Sequence, residues 1–207
     1  VRSRGLGDVY ERQLYIFPEL FLTGYLIGDL VFRLALTINS NYIKELQKIA
    51  YENSIGIIVG FPEKSDMGYL YNSALAIDDK GGIHIYRKRH LPTFSSFDEN
   101  RWFKPYKGFF NPWIFMGVET GITICYDIFF PEIFRVYMLN GAKLLVNISA
   151  APDTSVRLFH IISHARAIEN SAYFVWVNNT GFDGGFGFGG ASIIVSPQGE
   201  TLHTLSL

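Results

Sequence analysis

The sequence predicts a layered α/β fold. Short apolar runs of β-type residues recur along the whole chain, most of them apolar at consecutive positions, and helical patterns stand between them. Strands apolar on both faces and separated by helices belong in a sheet that is covered on both sides. With 207 residues, 48% of them hydrophobic and 18% charged, the chain has material for one substantial core. One domain over residues 1–207 is therefore expected.

The elements follow in order. A polar turn in "GLGDVYERQ" leads into a strand that ends at Pro18. Residues 40–52 read as a helix, with Ser40 as cap and Ile43, Leu46 and Ile49 on a three-residue spacing. "IGIIVGF" (55–61), "LYNSALAI" (70–77) and "IHIYRK" (83–88) read as strands, the last two joined by a turn around "DDKGG". "TGITIC" (120–125), "KLLVNIS" (143–149), "YFVWVNN" (173–179) and "ASIIVS" (191–196) continue the series. Residues 131–140 open with Pro131, which suits a first helical turn. Residues 155–170 carry Leu158, Ile161, Ile162, Ala165 and Ile168 as an apolar stripe at helical spacing. The sequence has no internal repeat. It opens on Val1 and stops soon after the turn "SPQGE", and both ends read as incomplete.

Composition narrows the function. A formal net charge of -1 and the lack of a basic stripe argue against nucleic acid as a partner. One cysteine gives no internal disulfide. No apolar run reaches the ~18 residues of a membrane span and no signal-peptide pattern opens the chain, so a cytoplasmic protein without a membrane partner is expected.

Three stretches hold the residues able to do chemistry. Cys125 ends an apolar run in "ITICYDIFFPE" (122–132), between a strand and a helix begun at Pro131. Buried cysteines are usually inert. A strand-to-helix bend would instead present the sulfur, with the Tyr126 N–H aimed where an oxyanion forms. Glu19 stands in "YIFPELFLTGY" (15–25), where the chain leaves a strand. Poor solvation there raises a carboxylate toward general-base duty, although capping of a nearby N–H is the simpler reading. In "IYRKRHLP" (85–92), strand alternation puts Ile85 and Arg87 on one side and Tyr86 and Lys88 on the other. An inward lysine beside a thiol lowers the thiol pKa and stabilises an oxyanion.

In this order, the Glu, Lys and Cys of these stretches resemble the Glu-Lys-Cys triad of the nitrilase (carbon–nitrogen hydrolase) superfamily. The resemblance continues through "FDENRWFKPYKG" (97–108), "NGAKLLVNIS" (140–149), "HARAIENSAYFVWVNNTG" (164–181) and "FGGASIIVSPQGE" (188–200), so it covers the chain from Tyr15 onward. It implies a four-layer αββα sandwich whose subunits pair as a homodimer or higher homo-oligomer. It assigns Glu19 as general base, Lys88 as cationic stabiliser, Cys125 as nucleophile, Glu99 as a second carboxylate near the lysine and substrate, and the Tyr126 N–H as an oxyanion donor.

The implied reaction hydrolyses a non-peptide C–N bond of a small amide through an acyl-thioester, without metal or organic cofactor. "CYD" is similar to the amidase-type branches rather than to true nitrilases. "FPELFLTGY" and "HLPTFSSFDENRWF" also resemble the glutaminase domain of NAD synthetases. Glutamine or another ω-amide is thus a candidate substrate, with Arg101 and Lys107 as candidate ligands for its carboxylate. Nitrile hydrolysis, acyl transfer on the same triad, and a non-catalytic binding or assembly role are the alternatives.

Other signals point elsewhere. His160 and His164 have a chelating spacing on a helix but no evident third ligand, and ordinary helix packing is the expectation. "GFDGGFGFGG" (181–190) joins strand to strand and lacks the helix a dinucleotide site needs, so it reads as a mobile loop near the site. The aromatic residues dense over 94–113 read as a mixture of core and pocket wall.

Overall fold

The computed structural model describes residues 13–94, 97–183 and 185–205. The polar turn expected ahead of the first strand covers residues 5–13, and all of it but Gln13 lies outside the described residues. Strand β1 (Leu14–Ile16) runs parallel to β2 (Gly56–Lys64), and helix α1 (Asn41–Asn53) lies in the crossover that a parallel pair requires. β3 (Leu70–Ile77) and β4 (Ile83–Arg87) extend this sheet antiparallel, in the order β1-β2-β3-β4. Ser40 caps α1 as its Oγ accepts the Ile43 N–H at 3.4 Å, and Ser54 ends it in the left-handed region at φ 52°.

The second sheet follows. β5 (Trp113–Phe115) pairs antiparallel with β6 (Val118–Ile124), which is parallel to β7 (Leu144–Ser149), itself parallel to β8 (Tyr173–Asn178). Helices α2 (Pro131–Leu139) and α3 (Val156–Asn170) supply the two crossovers, α2 with Pro131 in its first turn. β9 (Thr180–Asp183) and β10 (Phe186–Gly189) form a separate hairpin, and β11 (Ile193–Val195) and β12 (Thr201–Thr204) complete the order β12-β11-β8-β7-β6-β5.

Alternation along β2 shows how the layers stack. Ile57, Val59 and Phe61 pack with Ile43 and Ala50 of α1, while Ile58 turns to the opposite face and joins Ile124, Val146 and Ile148 of the second sheet. That sheet buries its other face against Ile133, Phe134 and Tyr137 of α2 and Phe159 and Ala167 of α3. The result is helix, sheet, sheet, helix: the expected αββα sandwich. Among the described residues, no helix is long and apolar enough to cross a membrane.

The structure corrects several local expectations. In α1 the buried positions are Ile43 and Ala50 with Leu46 beside them, and Ile49 faces outward, because 43, 46 and 50 share one side of a 3.6-residue helix. The glycine-rich stretch over 181–190 is the β9–β10 hairpin. The larger correction is in α3. Leu158, Ile161 and Ile168, expected in the core, are exposed, and Phe159, Ser163, Arg166, Ala167 and Asn170 are buried. Most of the buried polar groups are satisfied locally: Ser163 Oγ donates to the Phe159 carbonyl at 2.8 Å, Arg166 bonds the Ile128 carbonyl and Glu169, and Asn170 Nδ2 donates to the Arg166 carbonyl while its Oδ1 has no partner among the described residues.

Candidate active site

Glu19 follows β1 through Pro18, at a turn in which Leu20 adopts φ 51°. The turn lies on β2 at Gly60, whose N–H donates to the Pro18 carbonyl at 3.1 Å. A methyl group on Gly60 would strike the backbone of residues 18–20, so glycine is what allows this approach. Glu19 is 1% exposed, and its carboxylate accepts from Asn72 Nδ2 at 2.7 Å, Lys88 Nζ at 2.6 Å and the Ala150 N–H at 2.9 Å.

Lys88 stands just past β4 and points inward, fully buried, as the alternation predicted. Its ammonium is also 2.6 Å from Glu99 Oε1. Burial alone would lower its pKa, but the charges of Glu19 and Glu99 outweigh that and hold it above the ordinary lysine range. Arg87 points away from this cluster and is not simply a wetted edge. It forms a two-pronged pair with buried Glu63 and stacks on Tyr71.

Glu99 lies in a short helical turn (Glu99–Arg101). It accepts the Tyr25 hydroxyl at 2.7 Å and stands 3.4 Å from Asn72 Nδ2. Burial pushes its carboxyl up, Lys88 pulls it back, Glu19 pushes again, and the outcome is a pKa of about 7.

Cys125 sits where β6 ends and a 3-10 turn (Cys125–Phe129) begins, at φ 45°. A side chain with a Cβ carries strain in this region, and such strain concentrates at functional positions. The surroundings fix the bend. Asp127 Oδ2 accepts the Ile124 N–H at 3.3 Å, and Asn147 Nδ2 reaches the Cys125 carbonyl at 3.4 Å. The Ala150 N–H that serves Glu19 also faces the sulfur. The structure reverses the expected sign of the thiol shift. Burial and the Glu19 charge push the thiol up, Lys88 lowers it by less, and Glu99 adds to the rise. At rest the thiol keeps its proton, which makes a nearby base necessary for any nucleophilic step. Tyr126 is the second residue of the 3-10 turn, where N–H groups have no partner within the helix.

Asp127 was not singled out in the sequence, though it stands two residues past the cysteine. It is fully buried, accepting the Tyr86 hydroxyl at 2.8 Å and the His90 N–H at 2.9 Å. Tyr86 and His90 flank Lys88 by two residues on either side, so Asp127 ties the cysteine turn to the lysine segment. Asn72, Tyr25 and Ala150 were likewise missed. Their roles come from contacts 27 to 131 residues away in sequence, which local pattern cannot show.

Two cavities meet at Phe97. One, of about 290 Å³, is lined by Tyr25, Glu99, Trp102, Phe103 and Phe186 among others. The other, of about 320 Å³, opens onto Cys125 and Tyr126. Part of the aromatic stretch over 94–113 thus forms pocket wall, and part is core, as expected. Arg101 is at the surface beside Asp29, and Lys107 is exposed; neither lines these cavities. His160 and His164 are engaged in packing: His160 Nε2 bonds the Ala191 carbonyl, and His164 bonds the His160 carbonyl and Thr201.

Comparison with known proteins gives the same picture. The model of the carbon-nitrogen hydrolase family matches residues 9–207. A nitrilase of Pyrococcus abyssi is 34% identical over 198 residues, covering 94% of this chain and 72% of that protein. A carbon-nitrogen hydrolase of Helicobacter pylori G27 superposes with a TM-score of 0.85 at 26% identity, over 94% of this chain and 73% of the other. A mutant amidase of Nesterenkonia sp. AN1 superposes with a TM-score of 0.81 at 27% identity, over 94% of this chain and 76% of the other. That structure carries the product of Michael addition of acrylamide at its active-site cysteine.

Proposed function

The chain belongs to the carbon–nitrogen hydrolase family, and on that premise we propose that it hydrolyses a small amide through an acyl-thioester on Cys125. The observation that carries the reading is Lys88 held at 2.6 Å from both Glu19 and Glu99, beside a cysteine bent out of its strand at φ 45°. Glu19 takes the thiol proton, and the sulfur attacks the amide carbonyl carbon. Lys88 and the Tyr126 N–H stabilise the developing oxyanion, on the order of 3 kcal/mol per donor. Glu19 returns the proton to the leaving nitrogen as the C–N bond breaks, so ammonia or an amine departs and the acyl group stays on sulfur. The same carboxylate then takes a proton from a water whose oxygen adds to the thioester; the C–S bond breaks, the acid leaves and the proton returns to the Cys125 sulfur. Glu99 supports this cycle by keeping Lys88 charged and in place.

A free nucleophilic thiol favours a reducing compartment, which supports a cytoplasmic setting. The exposed apolar side of α3, with Leu158, Ile161 and Ile168, supports pairing of subunits. Ammonia release from a panel of amides and nitriles, wild type beside Cys125→Ala, tests the reaction. Cysteine-dependent release from an amide is the expected result. Release from nitriles alone, or acyl transfer to an added amine without free acid, would replace it.

A further inference from the structure

We infer that the acyl group this enzyme accepts is apolar and uncharged, and that amides bearing a carboxylate, glutamine included, are excluded; the inference rests on the amide-hydrolase reading above. The cavity that opens on Cys125 is walled by Phe94, Phe97, Tyr126, Phe129, Leu158 and Phe159. Among the described residues, no charged side chain lines it. The rings hold one another: Tyr126 lies 5.3 Å from both Phe94 and Phe129, and Phe129 meets Phe159 edge-on at 5.5 Å. A wall built from mutual contacts is formed before the substrate arrives.

The charges nearest the sulfur point the same way. Among the described residues, Lys88 is the only cation of the cluster, and two carboxylates already answer it. With Glu99 protonated, Glu19 alone still answers it. An incoming carboxylate would therefore be buried against like charge with no free cation, the least favourable way to lose water. The adjoining cavity adds Asp98 and Glu99 to its lining and, among the described residues, no lysine or arginine. The start of α3 borders the Cys125 cavity at Ser155, and a helix N-terminus favours anions. Asp153 stands two residues ahead of Ser155, in the 3-10 turn that leads into α3, and its charge opposes a second anion there.

The test is ammonia release by the full chain from acetamide, butanamide, pentanamide, hexanamide, phenylacetamide, glutamine and succinamate. Each added methylene is expected to raise kcat/KM about threefold to fourfold until the cavity is filled. Glutamine and succinamate should fall at least ~100-fold below neutral amides of the same length. Protection of Cys125 from iodoacetamide, read by mass spectrometry, runs beside the kinetics. Hexanamide should protect at concentrations where glutamine does not. Protection by hexanamide without ammonia release would sink the hydrolase reading and leave this inference standing. Glutamine turned over as well as pentanamide would overturn the inference and leave the hydrolase reading standing. Equal protection by both compounds, or by neither, would also overturn it.

Discussion

The Tyr86 hydroxyl donates to Asp127 Oδ2 at 2.8 Å, and this bond joins the chain two residues before Lys88 to the chain two residues after Cys125. The ammonium and the thiol come from different sheets, and Asp127 bridges their supports by hydrogen bonds. Tyr86→Phe removes the donor and leaves Asp127 its bonds to His90 and the Ile124 N–H. It is expected to lower kcat about tenfold with KM little changed, while stability falls by about 1 kcal/mol. Steady-state kinetics and urea unfolding separate the two effects, and a change confined to KM would count against the positioning role.

Cys125→Ala is expected to abolish turnover and leave folding intact, since the sulfur's contribution to the core is small. Cys125→Gly should be equally inactive yet more stable than the alanine variant by about 1 kcal/mol, because glycine relieves the φ of 45°. Thermal unfolding of the two variants side by side measures the stored strain. An alanine variant with most of its activity would remove Cys125 from the mechanism.

Lys88→Met and Arg87→Met should both destabilise the fold and differ in activity. Each leaves a buried carboxylate without its cation: Glu19 and Glu99 in the first case, Glu63 in the second. Breaking such a pair costs about 3–5 kcal/mol. Below the unfolding temperature, the Arg87 variant should keep activity within about tenfold of wild type, and the Lys88 variant should lose it. Equal activity losses would contradict the division between an inward and an outward cation.

Glu99 gives a pH dependence of defined sign. Its pKa rises from an ordinary 4.5 to about 7 in the folded state. Between those values the folded protein holds a proton that the unfolded chain has released, so stability falls as pH rises through the window and levels off above it. Glutamine cannot titrate. Relative to Glu99→Gln, the wild type should lose on the order of 3 kcal/mol between pH 4.5 and pH 7.5, measured by urea midpoints. A constant difference across that range would show that Glu99 titrates at its ordinary value.

The strands and helix starts were legible because their signals are local. Ser40 and Pro131 mark helix starts by capping and ring geometry, and β2, β3 and β4 read directly from their apolar runs. The three-residue strand β5 is too short for a periodic signal, and β12 follows a turn with only one large apolar residue, Leu202. The misread face of α3 has a different cause. Ser163, Arg166 and Asn170 look like a solvent face but bury their polar atoms against nearby carbonyls, and Arg166 steadies the cysteine turn through Ile128. In the site, the candidates Glu19, Lys88, Cys125 and Glu99 were legible from motifs in series, and the fold brings them into one cluster. The direction of the thiol shift was not legible, because it depends first on burial of the sulfur and then on the carboxylates around it, and both exist only after folding.

Gathering the cluster from two sheets has a mechanical consequence. The four-stranded sheet delivers Glu19 and Lys88, and the six-stranded sheet delivers Cys125 and Ala150. The reacting groups are therefore mounted on opposite jaws of a vise. Slippage of one jaw by a fraction of an ångström, too small to expose the core or alter the circular dichroism, would lengthen every contact across the seam. Turnover is thus a finer gauge of alignment than any spectrum. On slow heating, activity should fade several degrees before the secondary structure melts, and return on cooling.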